Sequence, residues 1–103
     1  MRVAEVIGKV TLSQAHADLK GARWLVAVPL TVPGLRGDAR GRGEPFIVYD
    51  ELNAGAGARV AVSEGAEATA PFHPNVKPID AYNAAILDQI DLEPEIQTGS
   101  TRE

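Results

Sequence analysis

A chain of 103 residues with 14 acidic against 10 basic side chains, a net charge of −4 and no cysteine is one small domain. Its charge speaks against affinity built on phosphate neutralisation, and it has neither a disulfide framework nor a thiolate metal site. Hydrophobic residues make up 45% of the chain but aromatics only 5%, so the core must come from Val, Ile, Leu and Ala, as suits a small β-barrel or sandwich.

Domains of this length bury only ~60–65% of the unfolded surface, so association with further copies adds needed stability. No run approaches the ~20 apolar residues of a bilayer span, and Met1-Arg2-Val3 leads straight into an alternating segment rather than a signal peptide. The expectation is a soluble intracellular protein.

Residues 2–12 alternate, with Ala4, Val6, Val10 and Leu12 on one face and Glu5, Lys9 and Thr11 on the other. This is the pattern of a half-buried strand, and Gly8 on its apolar face marks a bulge or bend. Residues 13–20 are polar and read as a loop anchored by Leu19, ending at Leu19-Lys20-Gly21. Residues 24–30, WLVAVPL, are apolar on both faces, as a central or interface strand is. Pro29 cannot donate to a ladder and so marks an edge or bulge. Residues 31–44 are rich in Gly and Pro and carry Arg36, Arg40 and Arg42. They read as a long, mobile hairpin loop, with a basic tip for an acidic partner or a nucleic acid as the functional alternative to a solvated loop.

The segment 46–65 is the most distinctive. Phe46-Ile47-Val48-Tyr49 and Val60-Ala61-Val62 flank the side-chain-poor run Asn53-Ala54-Gly55-Ala56-Gly57-Ala58, which reads as strand, tight turn, strand. Gly55 and Gly57 permit positive φ or close approach, and Asn53 is the non-glycine residue best able to share that duty. So bare a loop suggests that another backbone lies against it: a neighbouring strand, a symmetry mate or a ligand. Residues 64–77 lack a clear period and read as an irregular connection pinned by Phe72. In residues 78–92, Ile79, Tyr82, Ile86 and Ile90 form one stripe of a short C-terminal helix, with Asp80 in its first turn. A competing reading makes Ile86, Asp88 and Ile90 a terminal strand. The domain is placed at 1–92 and a polar tail at 93–103.

Catalytic chemistry finds no constellation. His16 and His73 lie in loops without the spacing of a zinc site. Asp50, Glu51 and Glu64 bracket the central loop and offer paired carboxylates, with Arg59 as a simpler charge partner. The glycines at 55 and 57 lack the lysine and βαβ frame of a phosphate loop. No catalytic, cofactor or metal residue is therefore assigned, and no cofactor is expected.

Several separated pieces agree in order and spacing with one family. Val6-Ile7-Gly8-Lys9-Val10, the Leu19-Lys20-Gly21 turn before Trp24-Leu25-Val26, Asp50 ahead of Asn53-Ala54-Gly55-Ala56-Gly57, Val60, and Pro78-Ile79-Asp80-Ala81 through Ile90-Asp91 resemble the EutN/CcmL family of bacterial microcompartment vertex proteins over residues 2–91. The resemblance implies a mainly β fold, a small five-stranded OB-like barrel forming a cyclic pentamer. It also implies a structural role in the cytoplasm, closing the vertices of a polyhedral shell beside hexameric and trimeric shell proteins, with no nucleic acid or membrane as partner. The alternative class is an OB-like module binding single-stranded nucleic acid or another ligand.

Within the ring, Asn53, Ala54, Gly55, Ala56 and Gly57 are expected at the subunit junction or pore, and Trp24, Val26 and Val28 on an interface strand. The chain departs from the family pattern in four places. Asn53 stands where a glycine is usual and Ala58 where an acid is usual, residues 64–68 replace a small-residue run, and the loop 33–43 is longer.

Overall fold

The computed structural model of the protein describes residues 1–12, 14, 17–19, 23–75 and 77–94. His16, the Lys20-Gly21 part of the expected turn and residues 95–103 of the expected tail lie outside them. Five strands, β1 (Arg2–Val10), β2 (Arg23–Pro29), β3 (Phe46–Asp50), β4 (Arg59–Glu64) and β5 (Ala81–Ile86), close into one barrel in the order β1-β2-β3-β5-β4. All neighbours are antiparallel except β3 and β5, which run parallel at Tyr49 and Tyr82. The fold is thus mainly β and OB-like, with two four-residue helices among the described residues, α1 (Val32–Leu35) and α2 (Ala66–Thr69).

The period-2 alternation of the strands fills the barrel. Ala4, Val6, Leu25, Ala27, Val48, Val60 and Val62, with Ala81 and the loop residue Ala54, form one buried cluster against which Phe46 packs. Each fully buried Val or Leu contributes ~1.5–3 kcal/mol. The bulge expected at Gly8 is present, since the β1–β2 register shifts between Val6 and Gly8. One extra residue reverses the inward and outward sense of the strand beyond it. Val10 therefore lies opposite Trp24, half-buried on the outer face rather than in line with Ala4 and Val6, and Leu12 is exposed.

Further expectations are corrected. Residues 46–62 are not a hairpin: β3 and β4 are separated in the barrel by β5, and the segment between them crosses to β1, where Gly57 N donates to the Val6 carbonyl and Val6 N to that of Ala58. The C-terminal helix is absent. Residues Ala81–Ile86 form strand β5 and the short helices lie earlier in the chain, because the gap between β3 and β4 can be closed only by a strand, whose pairing outweighs the helix propensity of Ala81, Ala84 and Ala85. The Asp80 carbonyl accepts from Gly65 N instead of opening a helix.

The segment 31–43 is a compact folded excursion rather than an open hairpin tip. Helix α1 meets the 3-10 turn Ala39–Gly41, and Thr31 donates to the Gly41 carbonyl through both its amide, at 2.9 Å, and its hydroxyl, at 3.1 Å.

Candidate functional site

The crossing segment after β3 is shaped by one carboxylate. Asp50, the last residue of β3, is 1% exposed. Its Oδ1 accepts from Leu52 N at 3.0 Å and from the Asn83 amide at 2.8 Å, while Oδ2 accepts from Ala54 N at 3.0 Å. Such a buried carboxylate is tolerable because its lone pairs are taken by N–H donors. Among the described residues the cation beside it is Arg23, 3.9 Å away on β2, rather than the Arg59 that the sequence suggested. Held in this way, Asn53 adopts φ +66°, the left-handed conformation expected of it, and Ala54 turns into the core.

Gly57 also has positive φ, +88°, so any side chain there is strained. Gly55 does not need its freedom, and a Cβ built at Gly55 or Gly57 meets nothing within 4 Å. The backbone expected against this loop is thus partly the chain's own β1, reached at Val6, while the glycine side faces open space.

The second expected surface, the outside of β2, divides in two. Val28 is buried by its own chain, opposite Glu5, whose carboxylate pairs with Arg42 at 3.2 Å. Trp24 and Val26 are half-buried. With Gly8 and Val10 on β1 and Ile47 on β3, they make an apolar stripe across three adjacent strands, Gly8 opposite Val26 and Val26 opposite Ile47. Ile47 is 46% exposed.

At one end this stripe runs into an aromatic cluster that the sequence did not disclose. Tyr49 meets Trp24 edge to face at 5.3 Å and Phe72 at 5.5 Å, and stacks on Tyr82 at 6.1 Å. Phe72, the expected pin of the 64–77 connection, completes it at 5.5 Å from Tyr82. Lys77 lies over the Phe72 ring at 4.8 Å, a favourable cation–π position. The signal available in the sequence was the alternation of Trp24, Tyr49 and Tyr82 with core residues, but which strands stand side by side is not written locally. The Trp24 indole nitrogen is buried without a hydrogen-bond partner among the described residues.

The three acidic residues around the loop are used separately rather than as a pair. Asp50 shapes the backbone, Glu51 accepts from the Tyr82 hydroxyl at 3.0 Å, and Glu64 holds Arg2 through two bonds of 2.6 and 2.7 Å. Desolvation, reinforced by that Glu51 contact, raises the Tyr82 pKa above the usual tyrosine value. Of the supposed basic tip, Arg40 pairs with Asp38, which caps the following turn, and Arg36 donates to the Glu93 carbonyl. An open recess of about 270 Å³ lies beside the loop, lined by Gly57, Ala58, Arg59, Leu87, Asp88 and Ile90. Among the described residues no group of three His, Cys, Asp or Glu side chains is placed to hold a metal ion, and no helix is long and apolar enough to cross a membrane.

This geometry chiefly presents surfaces: a side-chain-poor loop with a fixed backbone and an apolar stripe on the outside of a closed barrel. Known structures share the fold. The GrpN pentameric microcompartment shell protein from Rhodospirillum rubrum is 29% identical, covering 90% of this chain and 100% of that one, with a TM-score of 0.74. CcmL from a Nostoc species is 26% identical over 90% of this chain and 93% of its own, with a TM-score of 0.76. EutN from Escherichia coli, at 22% identity and 89% of both chains, has the same fold, with a TM-score of 0.72. No curated protein sequence matches the chain. The family described as ethanolamine utilisation protein EutN/carboxysome matches residues 1–88, and the chain belongs to this EutN/CcmL family.

Proposed function

We infer that the chain is a structural protein of a bacterial microcompartment shell, forming a homopentamer that caps a vertex and lets the polyhedral shell close. The observation that carries this reading is family membership over residues 1–88, joined to a barrel that leaves an apolar stripe and a glycine loop uncovered. A flat sheet of hexagonal tiles cannot close, and a five-fold tile supplies the missing curvature. The relative from Rhodospirillum rubrum is itself described as a pentameric shell protein.

A cyclic ring uses one heterologous interface repeated until it closes, so each subunit needs two different patches. The 53–57 loop and the stripe of Trp24 and Val26, extended by Ile47, are proposed as those patches. Val28, buried by its own chain, has little surface left to give. Work of this kind is complementarity of surfaces, without catalysis or cofactor, inside the cytoplasm and beside hexameric and trimeric tiles of the same shell.

The nucleic-acid alternative gains nothing from the geometry. Four of the rings that would stack bases pack on one another, and Arg2, Arg40 and Arg42 are ion-paired. Native mass spectrometry of the full chain tests the reading: a species of five times the 10.9 kDa chain mass is expected. A stable monomer or a ring of another order overturns it, and tight single-stranded nucleic-acid binding at physiological salt would restore the alternative.

A further inference from the structure

We propose that Asp50 is the positioning residue of the assembly surface: without touching a neighbour itself, its carboxylate presets the 52–57 loop in the shape that a second copy of the chain meets. This rests on the reading of that loop as a subunit contact. At 1% exposure Asp50 has no surface to offer a partner, yet it sits where three strands converge on the loop. It ends β3, takes the Asn83 amide from β5 at 2.8 Å, and has Arg23, its register partner on β2, at 3.9 Å.

The two remaining bonds go to the amides of Leu52 and Ala54, which bracket Asn53 in its left-handed conformation. The result is a loop whose inward residue, Ala54, is locked in the core while Leu52, Gly55 and Gly57 are turned outward, Leu52 being 43% exposed. An apolar side chain at this position would leave the Leu52, Ala54 and Asn83 amides without their acceptor, so the carboxylate holds one backbone shape where a plain connection from β3 to β4 could take several. A presented backbone shape is what the charge accounts for. Presetting also matters for association, because a loop ordered beforehand does not lose its freedom on binding.

Hydrogen exchange and sedimentation on the full chain test this. In wild-type protein diluted until it dissociates, the Leu52 and Ala54 amides are expected to exchange at least about tenfold more slowly than in an unstructured peptide. In Asp50→Asn, with the barrel still melting cooperatively, the same amides exchange near the peptide rate and the dissociation constant of the ring rises about tenfold or more. The proposal is overturned by a D50N ring that assembles at the wild-type concentration, or by wild-type amides that gain protection only upon assembly. The second holds even if D50N does not fold. A wild-type chain that stays monomeric at every concentration sinks the ring reading and this proposal together, whereas a wild-type ring matched by D50N sinks this proposal alone.

Discussion

Gly34 and Gly41 meet backbone to backbone: a Cβ built on Gly34 would stand 2.3 Å from the Gly41 carbonyl oxygen, and one built on Gly41 would stand 2.0 Å from the Gly34 nitrogen. Both glycines lie in the excursion between β2 and β3, and their contact is what lets α1 fold against the turn at Ala39–Gly41. Neither has positive φ, so the demand is for space and not for conformation. Gly41→Ala is expected to force the two backbones apart, at a cost of ~1–3 kcal/mol typical of overpacking. A thermal melt should show the loss, with the far-UV signal of the barrel preserved; an unchanged melting temperature would mean that the excursion yields freely.

Phe72 ties the 64–77 connection to the barrel through Tyr49 and Tyr82. Phe72→Ala removes two edge-to-face contacts and part of the platform under Lys77. Truncation of a fully buried Phe costs ~3–5 kcal/mol, and for this half-buried ring about half of that is expected. The chain's single tryptophan, Trp24, touches the same cluster through Tyr49. Its emission should therefore shift in the variant, and identical emission and stability would show that the connection is held elsewhere.

What could be read from the sequence follows from how far each signal reaches. The strands at 46–49 and 60–62 and the bulge at Gly8 are local: β-branched runs and a glycine on an apolar face announce themselves within a few residues. Pairing is not local. The same two strands looked like a hairpin because nothing between them shows that β5 is inserted there, and Ala81–Ile86 looked helical because Ala content is a local preference that a barrel gap overrides. The bulge was legible but its consequence for Val10 was not, since reversal of facing appears only against β2. Asp50 stands out in the sequence as a carboxylate beside the loop. Its role as acceptor for amides two and four residues onward is a habit of Asp in turns, visible in principle from the Asp-x-x-Asn-Ala-Gly run. The long loop at 31–43 seemed open because Gly and Pro signal turns without saying that two glycines will cross.

Tyr82 gives an alkaline prediction whose sign is fixed by linkage. Its folded pKa is raised above tyrosine's ordinary value of 10.0, first by desolvation and then by the hydrogen bond to Glu51. As pH rises past 10.0 the unfolded chain gives up this proton before the folded one does, so folding stability is full below that pH and falls above it. Tyr82→Phe removes the group and should flatten that part of the stability profile between pH 9 and 11 (about the ordinary tyrosine range), relative to wild type. Urea unfolding at several pH values measures it, and parallel profiles for the two proteins would remove Tyr82 from the account.

Gly55 separates assembly from folding more cleanly than any other loop residue. A side chain at Gly57 is strained by its φ of +88°, so a failure there cannot be assigned to a neighbour. Gly55 carries no such conformation, and its Cβ direction is empty to 4 Å within the chain. Gly55→Leu should therefore leave the monomeric barrel within ~0.5 kcal/mol of wild type, the usual range for a surface change. If a second copy packs against the loop, the added side chain has to enter that contact, where overpacking by ~1–3 kcal/mol in each of five identical junctions disfavours the closed ring strongly. Sedimentation velocity then shows slower species at concentrations where the wild-type chain sediments as its ring. A G55L ring as abundant as the wild type's would move the glycine loop away from the junction and leave the Trp24 stripe as the surface to test next.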